Sequence, residues 1–489
     1  MRLRNPILPL LLSAACGGGG PGAENQRGTD AATEAVETAR PPNIVVVFID
    51  DMGYGDLGVT GNADVPTPNI DRLAAQGTRF EQFYVNAPIC SPSRVALTTG
   101  MYPSRWRIHS YLAGREDNRR RGLADWLDPG APTLPRALQA AGYATAHFGK
   151  WHMGGGRDVG DAPLITEYGF DESMTSFEGL GDRYLWREPE SDLNEQSARL
   201  GRGEISWTEK RRVTGHYVDD AIDFMRRHRD RPFYLNLWPN DVHDPFDPIP
   251  ALAAKYEDAA RNHYERDYFA VLEEVDRQLG RLFDEIDRLG LADGTIVVFT
   301  GDNGPTDWAH YYREGVAPPG STAGLRGRKW SLYEGGIREP LIVRWPGHVP
   351  AGRVDGETIL SSVDLVPTLA ALAGAPLPTT HELDGEDLGQ AFLGDPALRA
   401  EPLFWHYPND IRPGDTASVT PRFAMREGPW KLLAERDGSG AQLYDLDADP
   451  RETSDLAAAE PERVARMTER LRAWIADLPL GPAAQDRAP

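Results

Sequence analysis

Cysteine is almost absent from this chain: 489 residues contain two, Cys16 and Cys90, and they offer no useful disulfide pair. Positive charge is also scarce. The net charge is −22 and no Lys/Arg-rich stripe stands out, which argues against a general nucleic-acid binder. An anionic substrate would therefore need a strongly positive or metal-loaded pocket. Beyond the N-terminus, no apolar run is long enough to span a membrane, and no internal repeat is present. What remains is the composition of a folded globular protein, long enough for one large α/β domain and a smaller companion.

The first twenty residues, MRLRNPILPLLLSAACGGGG, place Arg2 and Arg4 before a short apolar run and then small residues. This is the pattern of a secretory signal peptide over residues 1–16. Its Ser-Ala-Ala-Cys ending is similar to a bacterial lipoprotein processing site, which would make a lipidated Cys16 a membrane tether. Residues 17–40, rich in Gly, Ala, Thr and Glu, read as a flexible linker. The expected location is the bacterial periplasm or cell envelope, reached by export and lipid-anchored if Cys16 is modified. Cys90 then stands alone within VNAPICSPSRVALTTG. A small buried hydrophobe or an accidental free thiol would each suit a lone cysteine, but neither accounts for its neighbours.

Short β-branched apolar runs recur along the chain: NIVVVFID from Asn43, YATAHF from Tyr143, PFYLNLW from Pro232, TIVVFT from Thr295 and LIVRW from Leu341. Such runs predict buried strands. Helical spacing lies between them, in Val218, Ala221, Ile222 and Met225, and again from Tyr268 through Val271, Val275, Leu279, Leu282 and Ile286 to Leu289. The expected fold class is α/β. A large domain, residues 41–375, would hold a mostly parallel or mixed sheet sandwiched by helices. A smaller C-terminal α+β domain, residues 376–489, would carry a short antiparallel sheet from RFAMREGPWKLL and AQLYDL, with a last helix through Val464, Met467, Leu471, Trp474 and Ile475.

Ligands in open α/β sheets bind beyond the carboxyl ends of the strands. The four runs from Asn43 to Thr295 end in Asp50-Asp51, Gly149-Lys150-Trp151-His152, Asn240-Asp241-Val242-His243 and Asp302-Asn303. One such Asp is ordinarily a helix cap or a turn former; four loaded strand ends in one sheet are a pattern. Asp50, Asp51, Asp302 and Asn303 offer hard oxygen ligands, the three carboxylates would repel one another without a cation, and calcium or magnesium suits the set better than zinc. Lys150, His152, His243 and Lys329 add donors able to hold an anion and shuttle protons.

Read together, these residues resemble the type I sulfatases of the alkaline-phosphatase superfamily. CSPSRVALTTG from Cys90 resembles the first family signature and GYATAHFGKWHMG from Gly142 the second. PNIVVVFIDDMGYGDLG, FTGDNG and GLRGRKWSLYEGGIREP resemble further blocks, and QLYDLDADPRETSDL the C-terminal subdomain. In that family the motif cysteine is oxidised by a formylglycine-generating enzyme, which needs the Pro and Arg of the motif, to the aldehyde Cα-formylglycine. The resemblance implies that one hydroxyl of its gem-diol hydrate attacks sulfur and the other lets the covalent sulfate ester collapse with C–O cleavage. It further implies that Asp50, Asp51, Asp302, Asn303 and residue 90 share one divalent cation, Ca²⁺. Arg94 and Lys150 would stabilise the hydrate, His152 would take the proton that releases sulfate, and His243 and Lys329 would bind sulfate and assist the leaving alcohol. The implied substrate is a sulfated small molecule or saccharide, selected by the loops between Gly154 and Trp207, with Arg183, Arg187 and His109 as candidate contacts. Two other readings stay open: a phosphodiesterase or phosphonate monoester hydrolase of the same superfamily, and a sulfated-glycan-binding protein without catalysis.

Overall fold

The computed structural model describes residues 40–479 apart from 177, 190, 309–311 and 314. The signal peptide, Cys16 and nearly all of the linker lie outside the described residues. An eleven-stranded sheet organises the large part of the chain. Its strands are β1 (Asn43–Ile49), β2 (Thr78–Tyr84), β3 (Ala144–Gly149), β4 (Glu172–Thr175), β5 (Arg183–Leu185), β6 (Ile205–Trp207), β7 (Phe233–Trp238), β8 (Thr295–Gly301), β9 (Arg338–Arg344), β10 (Arg353–Asp355) and β11 (Leu360–Ser361). They are ordered β10-β2-β9-β8-β1-β7-β3-β4-β5-β6, with β11 beside β2.

Every residue of the central strand β1 is buried, because parallel β7 and β8 flank it and helices cover both faces. Its side chains alternate between two cores. Ile44, Val46 and Phe48 join the face packed by the helices Cys90–Thr99, Leu134–Ala140 and Leu365–Leu372. Val45, Val47 and Ile49 join the face packed by Pro68–Ala75, Val213–His228 and His263–Arg288. The last of these helices spans 26 residues and opens on Asn262, whose side chain accepts from the Glu265 N–H at 3.1 Å and satisfies one of the free donors of the first turn.

The strand read in LIVRW begins three residues earlier, at Arg338, and runs antiparallel to both neighbours, so the sheet is mixed. Apolar periodicity did not reveal β2, whose register shifts between Phe80 and Phe83 and breaks the alternation. Strands β4 to β6 are three or four residues long and too polar to stand out.

The second sheet is antiparallel, β12 (Leu403–His406), β13 (Phe423–Glu427), β14 (Trp430–Ala434) and β15 (Gln442–Asp445), in that order. RFAMREGPWKLL thus folds back on itself at Gly428-Pro429 as the β13–β14 hairpin. One face carries Phe423, Met425, Leu432 and Leu443 against Met467, Leu471, Trp474 and Ile475 of the helix Pro461–Ala476. The opposite face sends Trp405, Ala424, Leu433 and Tyr444 into the same core as β1. A buried ion cluster crosses this junction. Lys431 Nζ lies 2.9 Å from both Glu334 and Glu452, and Glu334 accepts a hydrogen bond from Tyr84 at 2.7 Å. No helix among the described residues is long and apolar enough to cross a membrane.

Candidate active site

The polar strand ends meet on one side of the sheet, because β3, β7, β1 and β8 are adjacent and parallel and so present their carboxyl ends together. Asp50 and Asp51 follow β1, Lys150 and His152 follow β3, His243 follows β7, and Asp302 and Asn303 follow β8. Gly149 closes β3 at φ +128°, where a Cβ would meet the Trp238 carbonyl at 2.1 Å; glycine there lets the chain run close to β7, and the Lys150 N–H donates to that carbonyl. Asp51, His152 and Trp330 take positive φ without being glycine, local strain that the packing around the site maintains.

Cys90 is the first residue of the helix Cys90–Thr99 and is buried, so its side chain lies at a helix N-terminus, a place that favours negative charge. Among the described residues two groupings could hold a metal ion, and both include it: Asp50, Cys90 and Asp302, and Asp51, Cys90 and His243, each set with ligand atoms within 4.8 Å of one another. Asn303 belongs to the same cluster and donates to Asp51 at 2.7 Å.

Cationic side chains surround the carboxylates. Lys150 Nζ donates to Asp50 at 2.7 Å, and Lys329 Nζ donates to both oxygens of Asp51 at 2.6 and 2.7 Å. Arg94, completely buried, donates to Asp302 at 2.6 Å, approaches Asp50 at 3.4 Å and donates to the Lys150 carbonyl at 2.9 Å. Its guanidinium lies beside the paired rings of Phe48 and Trp238, 5.6 and 5.4 Å from their centroids. Arg94 is thus a strut that binds the carboxylate cluster to the core.

His243 is the most accessible of these groups, its side chain 30 % exposed, with Nε2 3.5 Å from Asp51 and Nδ1 2.6 Å from the Asp244 carbonyl. His152 is buried; its Nε2 lies 3.4 Å from the Leu112 carbonyl and 3.8 Å from Glu178, and its Nδ1 has no partner.

The charges act strongly on one another. Burial would raise Asp50, but Lys150, His243, Arg94 and Lys329 more than offset it and hold the carboxyl well below its usual range. Asp302 goes the other way, pushed up to about 7 by burial and by the charge of Asp50. His243 is pushed down to about 4 by burial and by Lys329 and Lys150, against the pull of Asp51. Burial also pushes the Cys90 thiol up to about 12, so it is a neutral thiol at neutral pH.

The donor set fits a hard divalent cation. Three carboxylates and a carboxamide lie together at the buried strand ends, the carboxylates in two groupings that share Cys90, and Asp50 Oδ1 and Asn303 Oδ1 are buried oxygens that accept no hydrogen bond. All are oxygen ligands of the kind calcium and magnesium take.

Two candidate substrate contacts need correction. Arg183 is completely buried and donates to the Gly179 carbonyl, and His109 is buried with its ring 4.9 Å from that of His406; neither faces solvent. Arg187 is exposed. Sequence reasoning also missed two residues that support the site. Glu178, buried beside His152, lies three positions beyond β4, and the strand-end rule would have found it had so short a strand been visible. Lys210 donates to the carbonyls of His243 and Pro245 at 2.8 and 2.7 Å and fixes the loop that carries the imidazole; no local signal in its Lys-Arg-Arg run marks it.

Comparison with known proteins agrees across the length of the chain. The family model described as Sulfatase matches residues 42–375, and that described as N-sulphoglucosamine sulphohydrolase, C-terminal, matches residues 327–478. Human arylsulfatase A is 36 % identical over 447 residues, covering 86 % of this chain and 80 % of its own. An N-acetylgalactosamine-6-O-sulfatase of Bacteroides thetaiotaomicron is 30 % identical over 495 residues, covering 89 % of this chain and 93 % of its own. The crystal structure of Ps i-CgsB in complex with k-i-k-neocarrahexaose superposes with a TM-score of 0.74 at 28 % identity, covering 91 % of this chain and 95 % of that one.

Proposed function

The chain belongs to the sulfatase family of the alkaline-phosphatase superfamily, and from that premise we propose that it hydrolyses the sulfate ester of a sulfated saccharide, with residue 90 working as Cα-formylglycine. The observation that carries this reading is the convergence of Asp50, Asp51, Asp302, Asn303, Lys150, Lys329 and His243 around Cys90 at a helix N-terminus. Relatives named for saccharide sulfates, among them the Bacteroides N-acetylgalactosamine-6-O-sulfatase, support the substrate class.

Asp50, Asp51, Asp302 and Asn303 would hold Ca²⁺, which would supply the positive charge that polarises a sulfate oxygen. The hydrated aldehyde of residue 90 would supply two hydroxyls on one carbon, one to attack sulfur and one whose deprotonation expels sulfate. The chain's own residues do the rest. Lys150 and Lys329, tethered to Asp50 and Asp51, present fixed ammonium groups to an anionic ester where water is excluded. His243 has its Nδ1–H committed to the Asp244 carbonyl, so Nε2 is the atom that exchanges protons; sulfate bound beside it favours the imidazolium that protonates the leaving alcohol. His152 is kept neutral by burial and by Lys150 and Arg94, and the Leu112 carbonyl takes its Nε2–H, leaving Nδ1 as the basic atom that accepts the proton when sulfate departs. Arg94 keeps Asp302 and Asp50 in place. Export to the bacterial cell envelope, through the Arg2/Arg4-led apolar run, belongs to the same reading.

The test is to produce the protein together with a formylglycine-generating enzyme, measure the mass of the tryptic peptide Phe80–Arg94, and assay an aryl sulfate beside an aryl phosphate diester. An aldehyde at residue 90 and preferred turnover of the sulfate are expected. Preferred turnover of the diester would move the protein to the phosphodiesterases, and glycan binding without turnover by the converted protein would leave a lectin-like role. Chelation gives a second expected outcome. A cation bound at a hundred times its Kd contributes about 2.7 kcal/mol, so EDTA should lower the melting temperature by a few degrees and excess Ca²⁺ should restore it. A melting curve indifferent to both would remove the cation from this site.

A further inference from the structure

Large apolar side chains are seldom exposed in this structure. Trp207 is 43 % exposed, and Val354, Leu393 and Leu398 are the others among the described residues. Trp207 ends the edge strand β6, and the Arg187 guanidinium lies 4.6 Å from its ring centroid, held in turn by Glu195 at 2.9 Å. Arg187 therefore covers one side of the ring, and the side chain is partly exposed elsewhere. It borders a cavity of about 530 Å³ whose walls include Trp186, Glu188, Arg211, Phe246 and Asp247.

This cleft is mechanically joined to the site. The segment from His243 to Asp247 has its first residue at the carboxylate cluster and its last in the cleft wall, a span of at most about 14 Å. Lys210, also in the wall, hydrogen-bonds the carbonyls of His243 and Pro245 at 2.8 and 2.7 Å. A sugar chain with its sulfated residue at His243 would need to be only a few residues long to enter.

The chemistry of the walls selects the ligand. The wall charges are engaged but not cationic on balance: Arg211 lies 3.0 Å from Glu209 and 3.5 Å from Asp247, and Glu188, which accepts from the neutral Trp186 indole at 2.7 Å, keeps its negative charge. A second sulfate would meet Glu188, Glu209 and Asp247, and among the described residues the cations lining the cleft already have partners: Arg187 has Glu195, Arg211 has Glu209 and Asp247, and Lys210 has two carbonyls. A wholly apolar ligand would leave those polar groups unsolvated. A neutral pyranose satisfies both demands, with a C–H face for the indole and hydroxyls that both donate and accept. We propose that the Trp207 cleft is a subsite for an unsulfated sugar ring of an oligosaccharide whose sulfated residue occupies the catalytic site. This rests on the sulfatase reading above and adds that the enzyme takes oligosaccharides in preference to single sugars.

The experiment measures kcat/KM of the converted enzyme on sulfated tetrasaccharides from carrageenan and keratan, whose unsulfated rings are neutral, each beside its sulfated monosaccharide, with 4-nitrophenyl sulfate as a separate control. The wild type is expected to prefer one tetrasaccharide over its monosaccharide, and Trp207→Ala to reduce that preference at least about tenfold, through KM. Trp207→Phe, which keeps an aromatic face, should retain most of it. Equal losses on both lengths in Trp207→Ala would mark a merely structural residue and overturn the proposal. So would turnover of 4-nitrophenyl sulfate with no preference for the longer saccharide, an outcome that leaves the sulfatase reading intact. Failure on every sulfate ester, the control included, would instead defeat the parent reading.

Discussion

Cys90→Ala is expected to abolish sulfate release, lowering kcat by about 10⁴-fold or more, while the protein remains folded. The loss should be large because the neighbouring groups orient a nucleophile at residue 90 and do not replace one. Lys150 and Lys329 are committed to Asp50 and Asp51, and Arg94 to Asp302. The fold should tolerate the change, since only a sulfur atom is removed from the first turn of a helix whose other residues are buried. Cys90→Ser separates the chemistry further. A serine hydroxyl can attack sulfur and expel the alcohol, but it has no second hydroxyl on the same carbon through which to discharge the ester. One equivalent of alcohol and a sulfate covalently retained on Phe80–Arg94, visible by mass, are expected. Sustained turnover by either variant would show that residue 90 is not the nucleophile.

Lys431→Met is expected to give the largest loss of stability, about 3–5 kcal/mol near neutral pH, read from denaturant unfolding or from the melting temperature. Lys431 is completely buried and is the ammonium between Glu334 and Glu452, so its removal strands two carboxyl groups in the core. The deficit should depend on pH in a definite direction. Burial would raise Glu334, yet Lys431, Arg338 and Arg426 hold it at about 2, below its unfolded value. Its stabilising contribution is therefore full above about pH 4.5 and is lost as pH falls toward 2. Glu452, which burial raises to about 7 against the pull of Lys431, loses its contribution as pH rises through 7. Without Lys431 both carboxyl groups should titrate higher, so the deficit should widen from pH 5 to pH 8 and shrink toward pH 3. A deficit independent of pH would mean that packing, not charge, gives Lys431 its role. Because Glu334 precedes β9 and Lys431 lies on β14, such a result would also deny that this cluster joins the two sheets.

The parts of the fold legible in the sequence were those in which local pattern and tertiary environment agree. NIVVVFI, FYLNLW and TIVVFTG are nearly continuous apolar runs because both faces of the central sheet are covered. The long helix His263–Arg288 showed its buried stripe at helical spacing for the same reason. Where an edge, a bulge or a short length weakens that agreement, as in β2 and β4 to β6, the pattern failed, and Glu178 was lost with it. Arg183 and His109 failed differently. Polar residues in a loop-rich segment suggest exposure, but Arg183 is buried, and its two terminal nitrogens donate to the Gly179 and Gly201 carbonyls while its Nε has no partner.

By itself, the sequence determined the α/β class, the family, and the residues that stand at the ends of the central strands. The class and the strand ends follow from spacing of a few residues, which the backbone turns into position without help from the rest of the chain, and the family from the resemblance of motifs such as CSPSRVALTTG and GYATAHFGKWHMG. Only the tertiary structure decided which cation holds which carboxylate, that Arg94 is a buried strut, that the small sheet shares the large core, and that Trp207 stands open beside the His243 loop. These depend on pairs such as Lys329 and Asp51, 278 positions apart. Their meeting is set by sheet order and burial, which no local pattern encodes.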